Sequence, residues 1–180
     1  LFILDEAYSE FAPASSLPNI EISDTRVIRM RTFSKAYGMA GARVGYAMAE
    51  ENLIKSFEKI RNHFGMNRVA QKAALEALSD NQWLFEMIKT VENGRQRIYE
   101  IATNNNLKSI PSSTNFVAID CGKDGNFAKK VLQELISSGI FVRMPFVAPQ
   151  DRCIRVSVGE DAELDKFEKV FPEALERASK

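Results

Sequence analysis

Histidine is almost missing from this chain: His63 is the only one among 180 residues. A single imidazole leaves no second candidate for a Ser/His or Cys/His catalytic pair and starves a zinc site of ligands. His63 is therefore expected to be structural, or a substrate-side helix residue. Cysteine is scarce as well, since Cys121 and Cys153 stand alone, far apart, with no His or Cys at metal-ligand spacing. Both are expected to be reduced core residues, and no metal site is expected. Neither sign of charge is in excess, with 24 Lys and Arg against 24 Asp and Glu. Nothing therefore favours nucleic acid or an acidic membrane surface as a partner. No apolar run approaches the roughly 20 residues of a membrane span. The apolar opening Leu1–Leu4 is too short for a signal peptide and lacks its basic flank, so a cytoplasmic location is the default. Repeats and low-complexity segments are absent, and the one Pro/Ser-rich stretch, Ala12–Pro18, is too short to link domains. Gly38, Gly41 and Gly45 fit neither a dinucleotide fingerprint nor a Walker loop. They are expected to let the backbone turn tightly after Lys35.

What is present is concentrated in two segments. Leu1-Phe-Ile-Leu-Asp-Glu-Ala-Tyr8 is an apolar run closed by a carboxylate. It reads as a buried strand of an open α/β sheet that delivers Asp5 to the carboxyl end, where such sheets bind ligands. Val27–Met30 reads as a second short strand, with Thr32, Ser34 and Lys35 at its end. The segment Arg31-Thr-Phe-Ser-Lys-Ala-Tyr-Gly-Met-Ala-Gly-Ala-Arg43 then sets one lysine between hydroxyls and an arginine. A lysine that forms a Schiff base needs a lowered pKa, and a phosphate needs hydroxyls and a fork-shaped guanidinium. Lys35, Thr32, Ser34 and Arg43 meet both needs. A protonated pyridine nitrogen needs an ionised carboxylate, for which Asp5 is the candidate. Tyr8 would donate to a ring phenolate oxygen, and small Ala7 would let the chain approach a flat ring. Taken singly, each residue has an ordinary alternative: a strand-end turn at Asp5-Glu6, a solvated loop lysine, a surface arginine. The joint pattern sets this reading apart.

On these residues the chain resembles the C-terminal half of a fold-type I pyridoxal-phosphate-dependent aminotransferase, in the histidinol-phosphate aminotransferase branch. The resemblance runs nearly end to end. It implies the cofactor pyridoxal phosphate on Lys35, the pyridinium partner on Asp5, the phenolate donor on Tyr8, and phosphate contacts from Thr32, Ser34 and Arg43. In Cys153-Ile-Arg-Val-Ser-Val-Gly159 it implies that Arg155 grips the substrate α-carboxylate. In Gly139-Ile-Phe-Val-Arg143 it implies that Arg143 reaches the far end of a phosphorylated substrate, the alternative being a strand-end arginine paired with an acid. The implied activity is transamination between an amino acid, such as histidinol phosphate or an aromatic amino acid, and a 2-oxo acid. The alternatives are a decarboxylase of a phosphorylated amino acid and a catalytically silent fragment. A homodimer is implied. Chains of this family are roughly twice as long, so this one, which opens without Met, is expected to be part of a longer protein.

The implied fold is α/β: the C-terminal part of the large cofactor-binding domain, with a mostly parallel sheet, over residues 1–92, then a small α+β domain over 93–180. Arg43 to Ala49 reads as a strand, Leu53, Phe57 and Ile60 as one helical face, and Val69, Ala73 and Leu78 as another. Ser79–Gln82 reads as a capping box opening a long interdomain helix, with Leu84, Met87, Ile88, Val91, Ile98 and Ala102 inward and a stop at Asn104–Asn106. Beyond it, Phe116–Ile119, Ile140–Arg143 and Cys153–Val158 read as strands, and Phe127–Ile136 and Leu164–Ala178 as helices. Pro172 is expected to bend or break the last one.

Overall fold

Apolar residues closed by a turn make Phe2–Asp5 a strand, β1, and Val27–Thr32 a second, β2. The computed structural model describes residues 1–180 and divides them into two compact units, 1–89 and 90–180. In the first unit β1 runs parallel to β2, with Asp5 opposite Met30. β3 (Gly45–Met48) lies antiparallel on the other side of β2, with Gly45 opposite Thr32. The parallel pair brings the carboxyl ends of β1 and β2 to one rim. β3 is shorter than the expected strand because Arg43 adopts a left-handed backbone, φ 54°, after the short turn Ala40–Ala42. At Gly45 a Cβ would come within 2.7 Å of the Arg31 carbonyl oxygen, so close strand approach requires glycine there.

α1 (Glu51–Phe57) is capped by the Glu50 carboxylate, and α2 (Arg68–Ser79) by the Asn67 side chain, which accepts the Ala70 N–H at 2.7 Å. The buried stripe of α2 is Ala70 and Ala74, whereas Val69 and Leu78, expected inside, are 79% and 45% exposed. Periodicity marks both stripes equally, and the small one permits the closer approach. His63 lies exposed in the turn between α1 and α2 rather than on a helix or in the core.

α3 (Asn81–Asn104) starts one residue later than a Ser79 cap would place it. The Ser79 hydroxyl donates to the Leu75 carbonyl within α2, and Asp80 instead accepts the Trp83 N–H at 3.0 Å. Its buried residues are Val91, Gly94, Arg95, Ile98, Ile101 and Ala102, while Leu84, Met87 and Ile88 are only partly covered.

The second unit holds an antiparallel sheet in the order β4 (Lys108–Ile110), β5 (Phe116–Asp120), β6 (Cys153–Ser157). β4 falls outside every expected strand, because three residues carry too short a pattern to be read. Conversely, Ile140–Arg143 forms no strand and contributes a single bridge between Arg143 and Arg155. α4 (Gly125–Ser137) and α5 (Asp161–Ala178) complete the core with Ile98, Val117, Ile119, Leu135, Ile154 and Phe171, all inaccessible to solvent. Pro172 does not break α5. Phe171, Ala174 and Ala178 stay buried on successive turns, and the Phe167 and Phe171 rings stack at 4.8 Å. That packing outweighs the missing backbone donor. No helix is long and apolar enough to cross a membrane.

Candidate functional site

On the first unit's rim, Asp5 is exposed at the end of β1, and its Oδ1 accepts the Ala7 N–H at 2.9 Å. No cation pairs with it. The chain then turns through Ala7 and Tyr8 into the short turn Ser9–Phe11. From the end of β2, Thr32 Oγ1 accepts the Ser34 N–H at 3.1 Å, which holds the loop that presents Lys35. Lys35 Nζ stands 5.2 Å from the centre of the Tyr8 ring and has no carboxylate partner. The structure thus brings Tyr8 and Lys35 together across the two strand ends. Gly38, at φ +67°, turns the backbone beyond them; of the three glycines expected to serve that turn it alone has a left-handed backbone, Gly45 lying in β3 instead. Arg43 is exposed, and its guanidinium donates to the Ala40 carbonyl at 2.8 Å.

Beneath this rim lies a group of residues that the sequence reading passes over. Glu6, Arg29 and Arg31 occupy the opposite face of the sheet from Asp5 and Thr32. The Glu6 carboxylate is buried. Its Oε1 accepts from Arg29 Nη2 at 2.7 Å and Nε at 3.1 Å, and its Oε2 from Arg31 Nε at 3.0 Å. Burial pushes its pKa up, but the two guanidiniums outweigh that and hold it below the usual carboxylate range. The Glu10 carboxylate, with both oxygens shielded from solvent, lies 3.8 Å from Arg31 Nη1 with no hydrogen-bond donor on either oxygen. Burial, then the nearby Glu10 charge, raises the pKa of Tyr37, whose ring packs on Phe33 at 4.9 Å. A signal was available: Arg29 and Arg31 alternate along a strand whose other face is apolar, opposite the acid that follows Asp5.

The two remaining arginines belong to the second unit. Backbone hydrogen bonds tie them together, Arg143 N–H to the Arg155 carbonyl at 3.1 Å and Arg155 N–H to the Arg143 carbonyl at 2.6 Å. The Arg155 guanidinium lies 4.7 Å from the Phe116 ring centre, and its buried Nε makes no hydrogen bond. Four other arginines of this unit, Arg95, Arg97, Arg152 and Arg177, are engaged by acidic side chains, whereas Arg143 and Arg155 are not.

Lys35 and Tyr8 thus meet at the carboxyl ends of two parallel strands, with Asp5 at the end of β1. The family model for aminotransferases of class I and II matches residues 1–171, and the chain belongs to that family. It is 37% identical over 171 residues to the histidinol-phosphate aminotransferase of Geobacillus sp. (strain WCH70), which covers 93% of this chain and 46% of that protein. To its counterpart in Bacillus subtilis (strain 168) it is 34% identical over 178 residues, covering 97% and 49%. Among solved structures, the histidinol-phosphate aminotransferase from Sinorhizobium meliloti, in complex with pyridoxal-5'-phosphate, superposes with a TM-score of 0.94 at 50% identity, covering 97% of this chain and 48% of that one. The chain therefore spans about half the length of the relatives it matches.

Proposed function

We propose that the protein carrying this chain transfers an amino group between an amino acid and a 2-oxo acid with pyridoxal phosphate as cofactor. The observation that carries the reading is Lys35 Nζ poised 5.2 Å over Tyr8 and paired with no carboxylate, with Asp5, paired with no cation, at the end of the same strand that leads to Tyr8. The residues present fit the group. Asp5 has an acceptor for a protonated ring nitrogen, Ala7 leaves room for a flat ring, and Tyr8 has a hydroxyl for the ring oxygen. Thr32, Ser34 and Arg43 supply donors for a phosphate. The bound cofactor supplies an electron sink that makes the substrate α-proton removable. Lys35 would hold the cofactor and would act as the base that takes the proton from the substrate α-carbon and delivers it to a second carbon of the bound group. Arg155 orients the substrate α-carboxylate through its fork of donors, and Arg143 meets a phosphate or acidic group at the far end. Both lack an acidic partner of their own, which favours this reading of Arg143 over that of a paired strand-end arginine.

With this goes the reading of residues 1–92 as the end of the large domain and 93–180 as the small one. A homodimer and a cytoplasmic location complete it, the latter supported by two unpaired cysteines. The test is borohydride reduction with pyridoxal phosphate followed by peptide mass spectrometry. Specific labelling of Lys35, lost together with turnover in Lys35→Ala, is the expected result; steady-state activity retained by Lys35→Ala would sink the assignment.

A further inference from the structure

The ladder between β1 and β2 ends where the site begins. Its last backbone bond runs from the Glu6 N–H to the Met30 carbonyl at 2.8 Å; in the turn that follows, the Ala7 N–H bonds the Asp5 carboxylate, the Ser9 N–H the Glu6 carbonyl and the Phe11 N–H the Tyr8 carbonyl. β2 meanwhile continues to Thr32, paired with β3 alone. The β1–β2 ladder thus stops short of the turn that carries Tyr8.

Arg31 lies between two buried carboxylates from the two ends of that turn, Glu6 at 3.0 Å and Glu10 at 3.8 Å. Tyr8 is midway between them in sequence, and Arg29 adds a second fork to Glu6 at 2.7 Å. Their side chains are 2% and 6% exposed for Glu6 and Glu10 and 23% for Arg31, so water screens the cluster little. A guanidinium can engage two acids at once because its donors diverge within one rigid plane.

We infer that Arg31, clamped between Glu6 and Glu10, is a positioning residue: it holds the Tyr8 turn against β2 and so sets the spacing of Tyr8 from Lys35. The inference rests on the cofactor reading above and concerns residues on the face of the sheet away from that cofactor. Because a displacement of about 1 Å at reacting groups costs on the order of a hundredfold, the clamp acts on the cofactor without touching it.

The experiment uses the protein that carries this chain, with Glu6→Gln, Arg31→Met, the double variant, and Arg31→Lys. Arg31→Lys keeps the charge but loses the fork, and it still reports if the harsher changes do not fold. Two quantities are read at a temperature where far-UV circular dichroism shows each variant folded: the dissociation constant for pyridoxal phosphate, and the pH midpoint of the visible absorbance of the lysine-bound cofactor. Each single change is expected to weaken binding about tenfold or more and to move the midpoint, with the double variant no worse than the worse single one. Arg31→Lys is expected to fall between. A purely structural role would lower the melting temperature and leave the midpoint of the folded variants where it was; that result, or additive effects in the double variant, overturns the clamp. If the unaltered protein shows no covalent cofactor on Lys35, the cofactor reading fails and the clamp with it, an outcome distinct from normal wild-type binding with unaffected variants.

Discussion

Cys121 shows how burial alone sets a residue's chemistry. Its thiol is pushed up to about 12, chiefly by burial, and Cys153 is raised for the same reason. Below the ordinary thiol pKa of about 9 both folded and unfolded chains keep the proton, so stability does not respond. Between there and about 12 the unfolded chain ionises while the folded one does not, so stability falls as pH rises through that window. The expected outcome is that Cys121 resists a thiol reagent at pH 8 in the folded protein and reacts promptly in denaturant. Prompt native reaction would contradict its burial. The placement of both cysteines in the core was legible from their scarcity and spacing. The burial of Glu6 was not, because a carboxylate is buried only when partners meet it, and Arg29 and Arg31 lie far along the chain.

Among the elements, α5 tests how far packing overrides propensity. Proline in a helix interior costs about 3 kcal/mol relative to alanine, yet α5 continues past Pro172 because Phe167, Phe171 and Ala174 are held in the core. Pro172→Ala, at an exposed position, is therefore expected to stabilise the fold by about 1–3 kcal/mol. The checking measurement is a shift in the urea midpoint at constant slope. An unchanged midpoint would mean that the local backbone cannot restore the missing hydrogen bond. The same conflict explains α2, where alternative apolar stripes differ in size rather than in period and only the neighbours select Ala70 and Ala74.

Across the whole molecule the two units differ in how completely they bury their apolar residues. In the second, helices and sheet close around one continuous core. The first leaves Leu1, Phe2 and Ile3 of its opening strand more than half exposed, along with Ile60, Phe64 and Val69, whereas the second's comparably exposed Phe141, Phe146 and Val147 all lie in the one segment between α4 and β6. Residues 90–180 expressed alone are expected to unfold cooperatively and to protect core amides from exchange. Residues 1–89 alone are expected to show neither, and a cooperative transition there would overturn the contrast. By itself the sequence determined the two rim segments, the candidate residues Asp5, Tyr8, Thr32, Ser34, Lys35 and Arg43, and the existence of nearly every strand and helix. These depend on local pattern: an apolar run ending in a carboxylate, hydroxyls flanking a lysine, periods of two and of 3.6. The tertiary structure alone decided which stripe of α2 is covered, that α5 survives its proline, that Ile140–Arg143 makes one bridge, and that Glu6 and Glu10 converge on Arg31. Those outcomes depend on which distant surfaces meet, and no local window of residues contains that information.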